Sequence, residues 1–166
     1  GDGGAGALVS ALGALPALEL LSAGTSASRI CAQASEAAGA TLDRTQLSAG
    51  LKRWLPRLDR SAALADLDAA IASGMRILVP EESCWPERLD DLGAHAPLLL
   101  WVRGDPRLLS AFSLAVVGAR ACTGYGAGIT AELSDHACTA GAVIVSGAAY
   151  GIDAVAHRTA LANEAH

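Results

Sequence analysis

Residues 114–128 read Leu114-Ala-Val-Val-Gly-Ala-Arg-Ala-Cys-Thr-Gly-Tyr-Gly-Ala-Gly128, a short apolar run that leads directly into a glycine-rich segment. The same order recurs in Ala142-Val-Ile-Val-Ser-Gly-Ala-Ala-Tyr-Gly-Ile-Asp-Ala-Val-Ala-His157. Short uninterrupted apolar runs are typical of parallel strands that are buried on both faces. A helix-like pattern follows each glycine-rich segment. The sequence therefore predicts strand, loop, helix, strand, loop, helix, which is a parallel βαβ arrangement in an α/β fold.

The helices of this arrangement have recognisable limits. Between the two strands a helix is predicted from about Gly126 to Ala140, with Gly141 as its stop. A last helix is predicted from about Gly151 towards Glu164. In parallel sheets of this kind, ligands bind beyond the carboxyl ends of the strands, which is where both glycine-rich segments fall.

Two further strand-like runs lie upstream, Met75–Val79 and Leu98–Val102, with Pro86 suited to the first turn of a short helix between them. With the two buried strands they predict a small, incomplete sheet with an exposed edge, in a domain over residues 74–166. Since the sequence ends where the next strand of the pattern should begin, we expect the natural protein to be longer.

Residues 1–73 predict a separate helical domain, because Ala is abundant and β-branched residues are sparse. In its last helix Leu64, Leu67 and Ile71 fall on one face, so we expect amphipathic helices that pack on one another. The predicted N-caps of three of these helices are Ser26, Asp43 and Ser61.

The composition limits the classes of protein to consider. No apolar run reaches the 18 or so residues of a membrane span, and no export signal is visible, so we expect a cytoplasmic protein without a membrane partner. The four cysteines show no paired spacing, which favours free thiols and no metal site; Cys31 and Cys138 are predicted to be buried. The net charge of −5 opposes nucleic-acid binding, although a few arginines and backbone amides can hold phosphates locally.

The glycine-rich segments carry the chemistry of an anion site. Glycine lets backbone amides approach a ligand, and a helix N-terminus adds unpaired N–H groups and a partial positive charge. Arg120 adds a permanently charged fork that suits phosphate oxygens. The candidate phosphate-binding residues are Gly118, Ala119 and Arg120 in the first segment, and Ser146, Gly147, Ala148, Tyr150 and Gly151 in the second.

Two well-known nucleotide-binding motifs do not match. The dinucleotide fingerprint G-x-G-x-x-G needs Gly at position 120, which is Arg, and Ser146 and Gly147 stand where an acidic ribose partner would end the second strand. The P-loop motif needs a lysine, whereas the chain's one lysine is Lys52. We therefore expect no bound cofactor.

Several segments together resemble the DNA-processing protein A family (DprA, also called Smf). That family's pattern is roughly Y-P-x-x-L, P-x-x-L-x-x-x-G, V-G-S-R and S-G-x-A-x-G-I-D-x-x-A-H. Each piece alone is weak, but the ordered set over about residues 75–162 is specific. The matching segments are Trp85-Pro-Glu-Arg-Leu89, Pro97-Leu-Leu-Leu-Trp-Val-Arg-Gly104, Val116-Val-Gly-Ala-Arg120 and Ser146-Gly-Ala-Ala-Tyr-Gly-Ile-Asp153 with Ala156-His157.

This resemblance implies a Rossmann-like domain preceded by a helical domain similar to a sterile alpha motif (SAM). It implies a protein of natural transformation that binds single-stranded DNA, protects incoming DNA, helps to load the RecA recombinase and forms homodimers at full length. Three residues depart from the family's pattern. Ala119 replaces the usual Ser, Tyr150 stands where many members carry Arg or Lys, and Trp85 replaces Tyr. The first two weaken the expected phosphate grip.

Several residues have a second interpretation. Arg120 is either a phosphate ligand or an exposed loop arginine, and Ser146 with Gly147 either contacts phosphate or forms the turn. Asp153 and His157 lie four residues apart on one helical face, as a structural contact or as an acid–base pair. The basic group Lys52, Arg53, Arg57 and Arg60 is either a solvated face or a second DNA contact.

Two other classes of function compete with a non-enzymatic DNA binder. One is a Rossmann-like nucleotide enzyme such as a nucleoside monophosphate phosphoribohydrolase. The motif that those enzymes carry, roughly P-G-G-x-G-T-x-x-E, is missing from the sequence. The other is a structural or partner-docking fragment. Released base in a mixture with nucleoside monophosphate would identify the enzyme, and a shift of labelled oligonucleotide would identify the DNA binder.

Overall fold

The computed structural model of the protein describes residues 2–163 and divides into two compact units, Gly1–Gly104 and Asp105–His166. The sequence predicts a domain boundary at residue 73, whereas the units part 31 residues later, after Gly104. Helix α1 (Gly3–Leu12) explains the difference. Its Gly6 lies so close to the carbonyl of Ala94 that a Cβ atom there would overlap it. The segment that follows residue 73 therefore packs with the helices.

Five helices build most of the first unit, and their starts test the predicted caps. The side chain of Asp43 accepts hydrogen bonds from the backbone N–H groups of Thr45 and Gln46, which confirms that cap. Ser26 is an N-cap by position, but its side chain makes no capping bond. The prediction for Ser61 is wrong, because Asp59 accepts from the N–H groups there. The helices are α1, α2 (Ala14–Ser22), α3 (Ala27–Ala38), α4 (Arg44–Trp54) and α5 (Arg60–Ala72).

The core of the helical part is aliphatic. Its buried members come from α1 to α4 and are Leu8, Ala17, Ile30, Leu47 and Leu51. Cys31 packs against this cluster but is half-buried, so the expectation of full burial is wrong for it. Its Sγ lies 3.6 Å from the carbonyl oxygen of Leu42. Cys138, in the second unit, is buried as predicted.

Helix α5 departs from the expected pattern of packed amphipathic helices. None of its described residues is buried, and Leu64 and Ile71 are 50% and 59% exposed. The spacing of the apolar residues predicts one face correctly, but Leu64 and Ile71 on that face stay exposed instead of being buried in a helical core. Periodicity identifies an apolar face and leaves its partner undetermined.

Asp2 links the beginning of α1 to the end of α4. Its carboxylate caps α1 by accepting from the N–H groups of Gly4 and Ala5. It also accepts from Arg53 Nη2 at 2.8 Å and from Trp54 Nε1 at 3.1 Å. The hydrogen bond from Arg53, and then that from Trp54, hold the pKa of the Asp2 carboxyl well below its usual range. The guanidinium of Arg53 therefore has a structural partner.

The first unit also contains a two-stranded antiparallel sheet. Strand β1 (Met75–Leu78) pairs with β2 (Leu100–Arg103), with Met75 opposite Arg103. Between them lie 3₁₀ turns over Glu87–His95, with Pro86 just before them. The expectation that these strands extend the parallel sheet is wrong, since within residues 2–163 the strands form two separate pairs. Each strand finds its hydrogen-bond partner in the other.

The second unit has the predicted order of strand, loop, helix, strand, loop, helix. Strand β3 (Ser113–Ala115) is followed by α6 (Gly124–Thr139), β4 (Val143–Val145) and α7 (Ile152–Ala162). The two strands pair in parallel, which confirms the α/β class and the parallel βαβ arrangement. The expected end of the last helix, at Glu164, lies outside the described residues.

The two strands of the second unit are unequally covered. The buried cluster here consists of Cys138, Ile144, Ala156 and Ala160. Every residue of β3 is exposed, and Val145 of β4 is half-exposed, so the expectation of strands buried on both faces is wrong. The helices therefore cover one side of the parallel pair, chiefly at β4, and the sheet keeps the exposed edge that the sequence predicts.

No single described helix has both the length and the apolar character of a membrane span. Helices α1 and α2 would reach that length together, but their axes differ by 112° at the break between them.

Candidate functional site

The two parallel strands bring the predicted glycine-rich segments to one edge of the sheet. Ala115 lies opposite Val145, and the N–H of Val116 donates to the carbonyl of Val145 at 2.9 Å. Beyond this bond the chains leave the sheet side by side. We call residues 117–123 the first loop and residues 146–151 the second loop. All eight candidate phosphate-binding residues lie in these two loops.

Two of the predicted glycines hold the loops against each other. A Cβ atom on Gly118 would lie 2.6 Å from Cγ1 of Ile152, at the start of α7. A Cβ atom on Gly151 would overlap the carbonyl oxygens of Ala119 and Arg120. The N–H of Ile152 donates to that same Ala119 carbonyl at 3.2 Å. Gly118 and Gly151 therefore have a packing role that the sequence alone did not reveal.

The helices after the loops begin in different ways. Thr123 caps α6, and its hydroxyl accepts from the N–H of Gly126 at 3.1 Å. Helix α7 starts after Gly151, and no side chain caps this helix. The φ of 83° and ψ of −128° at Gly151 are dihedral angles that glycine adopts far more readily than other residues. Each helix therefore has one of its first N–H groups paired, that of Gly126 in α6 with the Thr123 hydroxyl and that of Ile152 in α7 with the Ala119 carbonyl.

The second loop contains a left-handed residue other than glycine. Ala148 has a φ of 54°, and among residues 2–163 no other non-glycine residue has a positive φ. This conformation costs an L-residue roughly 1–2 kcal/mol. Within the same described range, the backbone N–H groups of Gly147 and Ala148 donate no hydrogen bond to the protein. The strained backbone thus presents two unpaired donors beside the start of α7.

Asp153 and His157 both contact the second loop, in place of the expected contact with each other. The buried carboxylate of Asp153 accepts from the N–H of Ala149 at 3.4 Å. Nε2 of His157 lies 3.4 Å from the carbonyl oxygen of Ser146. Two residues of α7 therefore fix the backbone of the second loop, at its beginning and near its end.

The hydroxyl of Ser146 is buried without a partner. Its Oγ atom finds no hydrogen bond among residues 2–163, although it is shielded from solvent. A buried hydroxyl left unpaired costs roughly 1–3 kcal/mol. Ser146 stands at the end of β4, immediately before the two unpaired N–H groups. The unused hydroxyl and the unpaired amides occur together in one short segment.

Arg120 carries the positive charge of the site. Residues 105–166 contain three arginines, Arg107, Arg120 and Arg158, against five carboxylates. Arg107 forms an ion pair with Asp105 at 2.6 Å, away from both loops in sequence. Arg120 is exposed, and none of the described carboxylates pairs with it. The first loop therefore offers a free guanidinium in a unit whose overall charge is negative.

One tyrosine of the chain lies in the second loop, and the other comes just after the first loop. Tyr150, in the second loop, is 86% exposed. Tyr125, in the first turn of α6, is 81% exposed. The sequence analysis overlooked Tyr125, although its position two residues after the Thr123 cap placed it at the same edge of the sheet. Exposed aromatic rings are platforms on which unstacked bases can lie.

A comparison with known families identifies the chain's relatives. The family model of DNA recombination-mediator protein A matches residues 76–166, more than half of the sequence. The chain belongs to this family. All eight candidate residues lie within the matched range, as do Tyr125, Asp153 and His157. The membership confirms the resemblance to DNA-processing protein A that the sequence motifs indicate.

Individual relatives agree with this membership. The chain is 38% identical over 119 residues to a putative DNA processing protein DprA of Mycobacterium tuberculosis, which covers 64% of this chain and 30% of that protein. It is 39% identical over 127 residues to DNA processing protein DprA of Bacillus subtilis, which covers 73% of this chain and 41% of that protein. The aligned part of the chain thus spans less than half the length of these relatives.

A solved structure supports the same fold. The crystal structure of DNA processing protein A from Streptococcus pneumoniae matches with a TM-score of 0.52 and 27% sequence identity. The match covers 80% of this chain and 42% of that one. The likeness therefore extends beyond the residues that the family model matches.

Proposed function

We propose that the two loops bind the phosphates of single-stranded DNA. The proposal rests on one observation. The parallel pairing of β3 and β4 brings the loop of Arg120 and the unpaired N–H groups of Gly147 and Ala148 to the same edge of the sheet. A guanidinium and free amides are the groups that bind phosphate without a lysine-rich surface. Because a phosphate contacts only the groups close to it, the positive charge at the loops matters more for binding than the negative charge of the unit as a whole.

The candidate residues have different roles in this proposal. Arg120 supplies the charge, and the hydroxyl of Ser146 turns towards a phosphate oxygen when the ligand is present. Gly118 and Gly151 hold the loops together, and Ala119 contributes its carbonyl to that contact. Asp153 and His157 fix the second loop and take no part in proton transfer. No metal ion or cofactor is required.

Single-stranded DNA fits the loops better than a duplex does. Tyr125 and Tyr150 offer exposed rings to bases, which only unpaired bases can use. Neither α6 nor α7, the helices beside the loops, carries a set of Arg, Asn and Gln side chains that would read a major groove. We therefore expect weak dependence on base sequence and a clear preference for single strands.

In the whole protein we propose the role that the family resemblance implies. The full-length protein acts in the cytoplasm during natural transformation, protects incoming single-stranded DNA and helps to load RecA. It does so as a homodimer. Support for this wider role comes from the family's description as a recombination mediator and from relatives named DNA processing protein.

A direct binding experiment tests the proposal. Labelled oligothymidylate, a duplex of the same length and a nucleoside monophosphate are each mixed with the chain. We expect a mobility shift with the single strand, a much weaker one with the duplex and no released base from the monophosphate. Equal affinity for duplex and single strand would contradict the proposal. Released base would instead favour the phosphoribohydrolase.

A further inference from the structure

The helical unit contains two grooves of equal size and opposite charge. Each is an open surface groove with a volume of about 670 Å³. The first, between α2 and α3, has the acidic residues Glu19 and Glu36 in its wall. The second, between the start of α3 and α4, contains Arg44 and Lys52 and no acidic residue. We call the second one the basic groove.

Hydroxyl groups complete the wall of the basic groove. In addition to its two cations it is lined by Ser26, Ala27, Ser28, Thr45, Ser48 and Ala49. None of the four hydroxyl-bearing residues is buried, and no aromatic or large apolar side chain is present. Cations and hydroxyls without apolar contacts are the groups that bind phosphate and sugar oxygens, and they offer nothing for a base to stack on.

The backbone adds to this positive character. Helix α3 begins at the groove, its N-cap Ser26 makes no capping bond, and its first turn contains no acidic residue. Arg44 is the first residue of α4, the end of a helix at which the dipole disfavours a cation. Its position therefore does not serve the stability of α4.

The two cations of the groove are available to a ligand. Within residues 2–163 neither Arg44 nor Lys52 has a carboxylate partner, whereas neighbouring Arg53 donates to Asp2 at 2.8 Å. Two neighbouring members of the basic group that the sequence identified therefore have different surroundings: Lys52 lines the groove, and Arg53 is held by Asp2. The groove also lies outside residues 76–166, the part that the family model matches.

We propose that the basic groove is a second site for the phosphates of a nucleic-acid strand. The inference rests on the proposed function, because it takes single-stranded DNA as the ligand, but it concerns the other unit. Arg44 and Lys52 each neutralise one phosphate, and the hydroxyls and the first N–H groups of α3 donate to phosphate oxygens. The site holds the backbone and reads no bases.

Salt dependence distinguishes local phosphate contact from overall charge. The variant Arg44→Gln/Lys52→Gln is compared with Arg57→Gln/Arg60→Gln, which removes the same charge from exposed positions outside the groove. Since each phosphate contact adds about 0.7 to the salt slope for single strands, the groove variant is expected to lower the slope for oligothymidylate by about 1.4. The control variant should lower it much less. Equal slopes in the two variants would overturn the proposal, provided that both melt at the temperature of the unaltered chain.

Amide chemical shifts separate failure of the groove from failure of the loops. In the labelled full chain, oligothymidylate should move the amide signals of Ser28, Thr45 and Ser48 as well as those of the second loop. Movement of the loop signals alone would refute the basic groove and leave the proposed function standing. Movement of the groove signals alone would do the reverse. If inorganic phosphate moves the groove signals and oligothymidylate does not, the groove binds a free anion and the nucleic-acid assignment is wrong.

Discussion

The first loop offers its charge on a side chain, whereas the second offers its backbone. Arg120 projects into solvent from residues 117–123, a loop that ends at a helix capped by Thr123. The second loop has no cation, but its N–H groups at Gly147 and Ala148 are unpaired, and Asp153 and His157 fix its course. In the proposed phosphate site, one guanidinium and a prearranged stretch of backbone would therefore supply different parts of the binding in a negatively charged unit.

The largest expected effect concerns the contact that joins the two loops. Gly151→Ala should lower the free energy of unfolding by about 2–6 kcal/mol, since the backbone conformation costs roughly 1–3 kcal/mol and the overlap with the first loop a similar amount. Gly124→Ala is the matched control, because nothing lies within 4 Å of a Cβ atom there. Urea unfolding measures both. Similar stability of the two variants would mean that the loops do not depend on this contact.

The next effect tests the charge of the first loop. Arg120→Ala should weaken oligothymidylate binding roughly ten- to hundred-fold, because a hydrogen bond to a charged group is worth about 1.5–3 kcal/mol. The melting temperature should stay the same, since Arg120 has no described partner. Arg158→Ala, on α7, removes the same charge and should bind almost normally. If both variants lose affinity equally, the unit's net charge matters and the first loop has no special role.

Substitutions of Tyr150 test whether base stacking on its ring contributes to DNA binding at the second loop, in place of the cation that many family members carry there. Tyr150→Ala should weaken binding by about 1–3 kcal/mol, the contribution of stacking one base. Tyr150→Lys should recover affinity and steepen the salt slope by about 0.7, the value of one added phosphate contact. A gel-shift titration at several salt concentrations measures both. Normal binding by Tyr150→Ala would leave the site to Arg120 and the backbone amides.

Tyr125 gives a parallel test on the side of the first loop. Tyr125→Phe keeps the ring and should bind normally, whereas Tyr125→Ala should lose affinity within the same range of about 1–3 kcal/mol. The pair of variants separates stacking from hydrogen bonding by the hydroxyl. Loss of affinity in Tyr125→Phe would assign the effect to the hydroxyl and contradict stacking.

The smallest effect concerns backbone strain in the second loop. Ala148→Gly relieves a left-handed conformation worth roughly 1–2 kcal/mol, but glycine adds about 0.4–1 kcal/mol of entropy to the unfolded chain. A net stabilisation between about zero and about 1.6 kcal/mol is expected in urea unfolding. Oligonucleotide affinity should fall slightly, because the unpaired amides are then less firmly arranged. A less stable variant would show that Ala148 makes contacts that outweigh its strain.

Much of the second unit was predictable because its signals are local. The apolar runs before Gly118 and Ser146 predict two parallel strands, and the helical spacing after each loop predicts α6 and α7. The predicted burial is wrong for β3, which is exposed. Since the carboxyl ends of parallel strands meet at one edge, the sequence also predicts that the two loops lie together. The cap at Asp43 was predictable for the same reason, because it depends on a few consecutive residues.

Contacts between residues far apart in the chain could not be predicted from the sequence. The antiparallel pairing of β1 with β2 and the packing of Gly151 on the first loop each join segments that no short pattern relates. Helix α5 is a further example. The spacing of its apolar residues predicted one face correctly, but that face is largely exposed and is not packed as expected.

The sequence by itself determined the α/β class, the order of elements in the second unit, the family, and the positions of Arg120 and of both glycine-rich segments. Composition, periodicity and ordered motifs contain that information, because strands, helices and turns arise from residues close together in the chain. The tertiary structure alone decided that Ala148 is left-handed and that Tyr125, like Tyr150, is more than four-fifths exposed. It also decided that Arg44 and Lys52 line one groove while Arg53 is held by Asp2. Which side chains share a surface depends on how elements pack, and packing is set by the whole chain.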